Sequence, residues 1–127
     1  MDRQVIGLDF GTDSVRGVLV DAGSGAILEE SVAYYRRWSD GRYCCGERSE
    51  FRQHPLDYLE SMREVVCSLS GRTRPEAVRG IGLDTTGSTP CAVDAAGRPL
   101  ALHEKFADNP DAMFVLWKDH SAEVEAA

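Results

Sequence analysis

The alternation of apolar and polar segments predicts three short strands at the start of the chain. Two apolar runs, residues 5–8 and 15–20, flank the polar residues 9–14. Both runs are short, rich in β-branched residues and bounded by glycine, which is typical of buried strands joined by a tight turn. A second turn at residues 21–25 leads into another apolar pattern that continues to Tyr34. We therefore predict that three antiparallel strands open the fold.

The middle of the chain predicts a helix followed by a fourth strand. Pro55 occupies the place of a first-turn proline, and apolar residues follow it at helical spacing as far as Gly71. Such a helix has one apolar face, which is suited to covering a sheet. Residues 78–83 then predict a buried strand, and a strand reached through a helix favours parallel pairing. Residues 36–52 show no period and are predicted to form a loop.

The last part of the chain predicts less regular structure. Residues 92–100 repeat the order of apolar strand, Asp-led turn, glycine and apolar return, so we predict another hairpin there. A further apolar run at residues 112–117 is followed by an acidic, alanine-rich end that is compatible with the start of a helix.

Composition and charge narrow the class of protein. The chain has 127 residues, the size of one domain, and 43% of them are hydrophobic. Its net charge of −7 argues against a nucleic-acid surface, where a basic face is expected. No apolar run approaches the length of a membrane span, and Met1, Asp2 and Arg3 lead directly into a strand and not into a signal sequence. We expect a cytoplasmic protein that binds neither nucleic acid nor membrane.

The cysteines indicate free thiols. Cys44 and Cys45 are adjacent, Cys67 falls in the predicted helix and Cys91 in a predicted strand, so none has the spacing of a zinc ligand set. In a protein without a secretory signal, free thiols are expected in preference to disulfides. His120 has no second histidine at ligand spacing, and we do not interpret it as a metal ligand.

The turn between the first two predicted strands has the composition of a phosphate-binding loop. Gly11 could take a positive φ and turn successive amides toward an anion, while Thr12 and Ser14 add hydroxyl donors. Asp9, at the end of the first strand, could orient a divalent cation or its waters. The alternative is an ordinary hairpin, because glycines and hydroxyls are common in turns for local reasons.

Two further segments are suited to binding a sugar. Residues 84–90 lie at the carboxyl end of the fourth strand, the edge where ligands bind in open α/β sheets, and they carry several hydroxyls. Residues 117–120 place an aromatic ring beside charged groups, a frequent way to stack on and hydrogen-bond a sugar. The alternatives are a turn whose hydroxyls bond their own backbone, and a Trp117 that belongs to the core.

These segments together resemble a known family. Residues 9–14 resemble the first phosphate motif of the actin-like ATPase superfamily, and residues 82–90 with 112–120 narrow the resemblance to the FGGY carbohydrate kinases. The resemblance covers essentially the whole chain. Many FGGY relatives carry an arginine two residues beyond the aspartate of their Trp-x-Asp motif, where this chain has Ser121. This departure is similar to the form found in members that phosphorylate L-ribulose in L-arabinose breakdown.

The resemblance implies a fold and a reaction. The fold class is α/β, a ribonuclease H-like or actin-like ATPase domain whose mixed sheet opens with the three-stranded meander. Residues 1–127 would be the incomplete N-terminal part of the first domain, with the second domain absent. The cofactors would be ATP and Mg²⁺, the substrate a small sugar, and the full-length enzyme a possible homodimer.

The resemblance also assigns site residues. Asp9 would order the metal shell, and Gly11, Thr12 and Ser14 would hold phosphate. The residues on the sugar side would be Thr86, Gly87, Ser88, Trp117, Lys118 and Asp119. No catalytic residue is assigned, because the expected base would lie beyond Ala127, and the isolated chain is expected to be inactive. Two alternatives remain: another specificity such as that of a xylulokinase, and a non-catalytic fragment that only folds.

Overall fold

The computed structural model describes residues 3–127, and their regular structure is made of short elements. The strands are β1 (Gln4–Phe10), β2 (Ser14–Asp21), β3 (Ile27–Tyr34), β4 (Cys44–Cys45), β5 (Glu50–Gln53), β6 (Val78–Thr85) and β7 (Phe114–Val115). The helices are α1 (Arg36–Ser39), α2 (Pro55–Ser70) and α3 (Glu123–Ala126), and single 3₁₀ turns lie between elements. Met1 and Asp2, predicted to lead into the first strand, lie outside the described residues.

Contacts group these residues into two compact units. Unit 1 contains residues 3–35 together with Tyr58–Thr85, and unit 2 contains Arg36–Asp57 together with Thr86–Ala127. No helix in the described part of the chain is both long enough and apolar enough to cross a membrane.

Unit 1 is built on a four-stranded mixed sheet in the order β3-β2-β1-β6. β1 pairs antiparallel with β2, and β2 with β3, so the predicted meander is confirmed. β6 pairs parallel with β1, with Leu8 opposite Leu83 and Asp9 opposite Asp84, which confirms the predicted crossover.

Helix α2 covers one face of this sheet. The predicted bounds are confirmed: the helix starts at Pro55 and ends at Ser70, where the Gly71 N–H donates to the Cys67 carbonyl at 3.1 Å. Its Val65 and Leu69 are fully buried and lie over Gly17 of β2. The absence of a side chain at Gly17 lets helix and sheet approach each other closely.

The close approach at Gly17 gives a first testable prediction. A Cβ atom added there would lie 2.3 Å from Val65 Cγ1 and 2.9 Å from Leu69 Cδ1. Gly17→Ala should therefore overpack the core and lower the free energy of unfolding by about 1–3 kcal/mol. Thermal unfolding followed by circular dichroism measures this. Gly80→Ala is the matched control, since an added Cβ at this position on β6 of the same sheet meets nothing within 4 Å. Equal melting temperatures for the two variants would contradict the prediction.

The prediction that the fourth strand is buried is wrong. β6 is the edge strand of the sheet, and Ile81 and Leu83 on it are 55% and 66% exposed. Their register partners on β1, Ile6 and Leu8, are buried under α2. An apolar run indicates that a strand favours burial. It does not show whether another element of the folded chain covers that strand.

The prediction of a loop over residues 36–52 is also wrong. α1, β4 and most of β5 lie in this segment, and β4, β5 and β7 form the three-stranded sheet of unit 2 in that order. A single helical turn and strands of two to four residues are too short to produce a period, so the pattern could not reveal them. The core of this unit includes Met113 and Leu116, which are 0% and 1% exposed.

The remaining predictions for unit 2 are confirmed in reduced form. The hairpin at residues 92–100 exists as a single antiparallel bridge between Val93 and Pro99, closed by a hydrogen bond from Asp94 N–H to the Arg98 carbonyl at 2.9 Å. The end of the chain forms the short helix α3.

The thiols of Cys44, Cys45, Cys67 and Cys91 are free, as predicted.

Candidate functional site

The loop between β1 and β2 in unit 1 is held rigidly by one buried tyrosine. Gly11 N–H donates to the Ser14 carbonyl at 2.9 Å and closes the turn. Tyr35, which is 0% exposed, donates its hydroxyl to the Gly11 carbonyl at 3.1 Å and its N–H to the Asp13 carbonyl at 2.9 Å. Its ring stacks on Tyr58 with centroids 5.0 Å apart. Tyr35 therefore connects two residues of the loop to the core of unit 1.

This loop does not have the backbone that the sequence suggested. Glycines with positive φ in the described residues are Gly25, Gly41 and Gly97, so Gly11 does not adopt the expected left-handed conformation. Its amide is used within the hairpin, and the Ser14 hydroxyl donates to Asp13 Oδ1 at 2.8 Å from a residue that is 2% exposed. The tight hairpin itself satisfies these donors. Roles for Gly11, Thr12 and Ser14 in holding phosphate stay predictions.

Asp9 lies at the rim of an open depression in unit 1. Its side chain is exposed on the sheet face opposite α2, and its register partners are Arg16 on β2 and Asp84 on β6. These three charged residues line a depression of about 450 Å³ whose floor includes Gly7 and Gly82. The carboxyl ends of parallel strands β1 and β6 meet here, the usual place for a ligand in such sheets.

The donor set at this depression fits a magnesium ion bound together with a phosphate ligand. Mg²⁺ is usually held by one or two carboxylates, with substrate phosphates and waters completing the shell. Asp9 and Asp84 offer carboxylates and Arg16 a guanidinium for phosphate oxygens. No group of three or more metal-ligating side chains occurs in the described residues.

In unit 2, one antiparallel bridge lies next to both of the segments that were predicted to bind a sugar. Cys91 pairs with Phe114, and Val115 N–H donates to the Pro90 carbonyl at 2.9 Å. Counting from the bridge, Ser88 lies three residues before Cys91 and Trp117 three residues after Phe114. Since the strands are antiparallel, both segments leave the bridge at the same end.

The hydroxyl-rich segment is partly a local turn and partly strained. Thr89 Oγ1 donates to the Gly87 carbonyl at 3.1 Å and lies 3.2 Å from Thr86 Oγ1, as the local interpretation expects. Ser88, however, has a φ of 52°, a left-handed conformation that is uncommon for a residue other than glycine. Strained residues of this kind are frequent at ligand-binding sites. The exposed Ser88 is therefore the member of this segment whose geometry the local turn does not explain.

Trp117 and Lys118 differ in how they are used. Trp117 is 54% exposed, so the alternative that it is a core residue is wrong. The Lys118 ammonium lies 4.5 Å from the Phe51 ring centroid and 5.3 Å from that of Trp38. These cation–π contacts fix the direction of the lysine side chain.

Asp119 is engaged by the protein itself. Its Oδ2 accepts from Phe51 N–H at 2.7 Å and Arg52 Nε at 2.8 Å, and its Oδ1 accepts from the N–H and hydroxyl of Ser121 at 3.0 and 2.6 Å. The side chain is 3% exposed. Burial alone would raise the pKa of Asp119, but the hydrogen bonds from Ser121, Arg52 and Phe51 outweigh it and hold the pKa well below its usual range. Direct contact of Asp119 with a sugar stays a prediction.

Arg52 is a buried charged residue of this region that the sequence did not single out. It lies in the segment predicted to be a loop, and its partner Asp119 is 67 residues away along the chain. No local pattern connects positions at that separation. The side-chain exposure of 9% could be learned only from the folded structure.

Solved structures that match the fold of this chain include two kinases of small substrates. The chain matches gluconate kinase from Lactobacillus acidophilus with a TM-score of 0.73 and 15% identity, over 98% of this chain and 22% of that one. It matches a xylulose kinase from Brucella ovis with a TM-score of 0.70 and 21% identity, over 98% and 24%. The fold is therefore that of the N-terminal part of the FGGY kinases, the actin-like ATPase fold.

Sequence relatives specify the group further. The chain is 50% identical over 128 residues to ribulokinase of Vibrio parahaemolyticus and 36% identical over 131 residues to that of Halalkalibacterium halodurans, in both cases over 98% of this chain. It spans only 22% and 23% of these relatives' lengths. No protein-family model matches the chain. The chain is homologous to the N-terminal region of ribulokinases.

Proposed function

We propose that this segment belongs to an ATP-dependent kinase that converts L-ribulose to L-ribulose 5-phosphate in L-arabinose catabolism. The observation that carries the proposal is the exposed Trp117, which lies in the same unit as the strained Ser88, in a chain 50% identical to a ribulokinase. An indole exposed beside polar groups is suited to stacking on a sugar. The kinase would act in the cytoplasm, and homodimerisation is part of the same proposal.

The chemistry would be in-line transfer of a phosphoryl group to the sugar hydroxyl, which depends on positioning and charge neutralisation. ATP with Mg²⁺ supplies the phosphoryl group and neutralises its charge. Asp9 would orient the Mg²⁺ shell, and the loop braced by Tyr35 would limit the movement of phosphate. Thr86, Gly87, Ser88, Trp117 and Lys118 would line the sugar side, with Asp119 beneath them. The group that removes the proton from the sugar hydroxyl is not assigned to these residues.

A chimera tests this function. The 127-residue chain would replace the matching N-terminal part of V. parahaemolyticus ribulokinase. We expect the chimera to phosphorylate L-ribulose in a coupled ADP-release assay. The isolated chain, and the Vibrio enzyme without its matching N-terminal part, should show no turnover. Each protein is assayed with L-ribulose, D-xylulose and D-ribulose in parallel.

The outcomes separate the alternatives. Preference of the chimera for D-xylulose would replace the L-ribulose assignment by a xylulokinase-like one. A folded chimera that binds ATP but phosphorylates no sugar would favour a segment that only folds. Sustained ATP-dependent production of ribulose 5-phosphate by the isolated chain would contradict the expectation that the missing length is required.

A further inference from the structure

Arg52 has its guanidinium buried in unit 2, where it binds acceptors from two segments of the chain. Nε donates to Asp119 Oδ2 at 2.8 Å, and Nη1 donates to the Pro110 carbonyl at 3.1 Å and to Asp111 Oδ1 at 3.0 Å. Nη2 donates to the Ser121 hydroxyl at 3.2 Å. Since three different nitrogens are used, the planar group is fixed in orientation as well as in position.

The acceptors of Arg52 lie at both ends of the segment that carries Trp117. Asp111 and the Pro110 carbonyl precede β7, while Asp119 and Ser121 follow the exposed indole. Between them, Leu116 N–H donates to the Phe51 carbonyl at 3.1 Å and Asp119 N–H donates to the Leu116 carbonyl at 2.8 Å. The residues from 116 to 119 thus form a tight turn anchored to β5.

The residues in the middle of the turn differ in exposure from those at its ends. Leu116 is 1% exposed and the Asp119 side chain 3%, whereas Trp117 is 54% exposed. Trp117 leaves the chain from the middle of this turn, so the position of its Cα atom and the direction of its Cα–Cβ bond are set by the backbone of the turn. That backbone is fixed by groups that Arg52 holds. Lys118 is fixed in addition by its contact with the Phe51 ring, on the residue adjacent to Arg52.

We propose that Arg52 is a positioning residue for sugar binding, which acts by fixing the Trp117–Lys118 turn through Asp119 and Ser121. Its charge is compensated within the unit, and it need not contact the sugar. The part of this proposal that concerns sugar rests on the proposed kinase function. The part that concerns the geometry of the turn does not, and it is tested separately.

Arg52→Lys is the informative variant. Lysine keeps the positive charge for Asp119, but a single ammonium cannot reach acceptors on both sides of the turn in a planar fork. Arg48→Lys is the matched control, because Arg48 is an arginine of the same unit whose side chain is 68% exposed and pairs with Glu50 at 3.3 Å. We expect the control to behave as the unchanged chain in every measurement.

The first measurement is hydrogen exchange of the 127-residue chain by NMR. The amides of Asp119, His120 and Ser121 donate to protein acceptors and should be protected in the unchanged chain. In Arg52→Lys we expect their protection to fall at least tenfold, while amides in β1 and β2 of unit 1 keep theirs. Unchanged protection at residues 119–121 would overturn the proposal, whatever the kinase assays show.

The second measurement is the kinetics of the chimera. We expect Arg52→Lys to raise KM for the preferred sugar about tenfold and to leave KM for ATP within twofold. A lowered melting temperature with unchanged sugar KM would mean that Arg52 is only structural and would overturn the positioning role. Should the unchanged chimera prefer another pentulose, the proposed L-ribulose activity fails, while the KM comparison with that pentulose still decides the role of Arg52. Should it phosphorylate no sugar, the exchange measurement decides.

Discussion

Asp9→Asn in the chimera should lower kcat for sugar phosphorylation by about 10²-fold or more, with sugar KM changed little. The substitution keeps the size of the side chain and removes the charge that would order Mg²⁺ at the carboxyl ends of β1 and β6. Because Asp9 is exposed, we expect the free energy of unfolding to change by less than about 0.5 kcal/mol. Steady-state kinetics at several Mg²⁺ concentrations, with thermal unfolding of each variant, make the measurement.

Asp13→Asn is the matched control for Asp9. Asp13 is an exposed aspartate in the same hairpin, and an asparagine can still accept the hydroxyl of Ser14 through its carbonyl oxygen. Its backbone carbonyl, which accepts from Tyr35, is unchanged by the substitution. We expect kcat within about threefold of the unchanged chimera. A full kcat in Asp9→Asn at saturating Mg²⁺ would remove Asp9 from the site and leave the depression beside it without a role.

The sequence predicted those elements of the fold that are long enough to show a period. The strands of the meander, helix α2 and β6 are elements of seven residues or more, and turns with glycine bound several of them. The sheet of unit 2 was missed because β4 and β7 have two residues each. Burial of β6 was predicted wrongly, since Ile81 and Leu83 are apolar but exposed at the sheet edge.

The residue types of the candidate site could be predicted from the sequence. The hydrogen bonds that these residues make could not. The sequence singled out Gly11, Ser14 and Asp119 as groups for a ligand, yet in the structure their donors and acceptors meet protein partners. Only the folded chain shows which polar groups are already satisfied. Arg52 could not be found at all, because its importance arises from acceptors that are distant in sequence.

The engagement of Asp119 changes what a substitution there should do. Both partners of the Arg52–Asp119 pair are largely buried, with side chains 9% and 3% exposed. In Asp119→Asn, the amide group cannot accept hydrogen bonds at its nitrogen, so at least one donor among Phe51, Arg52 and Ser121 is left unsatisfied. Breaking a buried pair from one side costs about 3–5 kcal/mol. We expect a loss of this size in denaturant unfolding of the 127-residue chain.

Trp117→Ala should give the opposite pattern and is the variant to compare with Asp119→Asn. Truncating a buried aromatic residue costs about 3–5 kcal/mol, but the half-exposed Trp117 should cost less than about 1 kcal/mol. In the chimera it should raise the sugar KM about tenfold, because a ring that stacks on the sugar is lost. A large loss of stability in Trp117→Ala with an unchanged sugar KM would mean that the turn of residues 116–119 has only a structural role.

The pH dependence identifies Asp119 as the source of the stability change. Its pKa is lower in the folded chain than the value of about 3.9 expected in the unfolded chain. The unfolded state therefore binds the proton first as the pH falls, so the contribution of Asp119 to stability is complete at neutral pH and decreases below about pH 5. Asparagine does not titrate, so the stability difference between the unchanged chain and Asp119→Asn should stay constant from pH 6 to about pH 5 and shrink as the pH falls from 5 to 3. A difference that stays constant from pH 6 to pH 3 would mean that the carboxylate charge of Asp119 does not stabilise the turn, and that the cost of the substitution comes from the lost hydrogen bond alone.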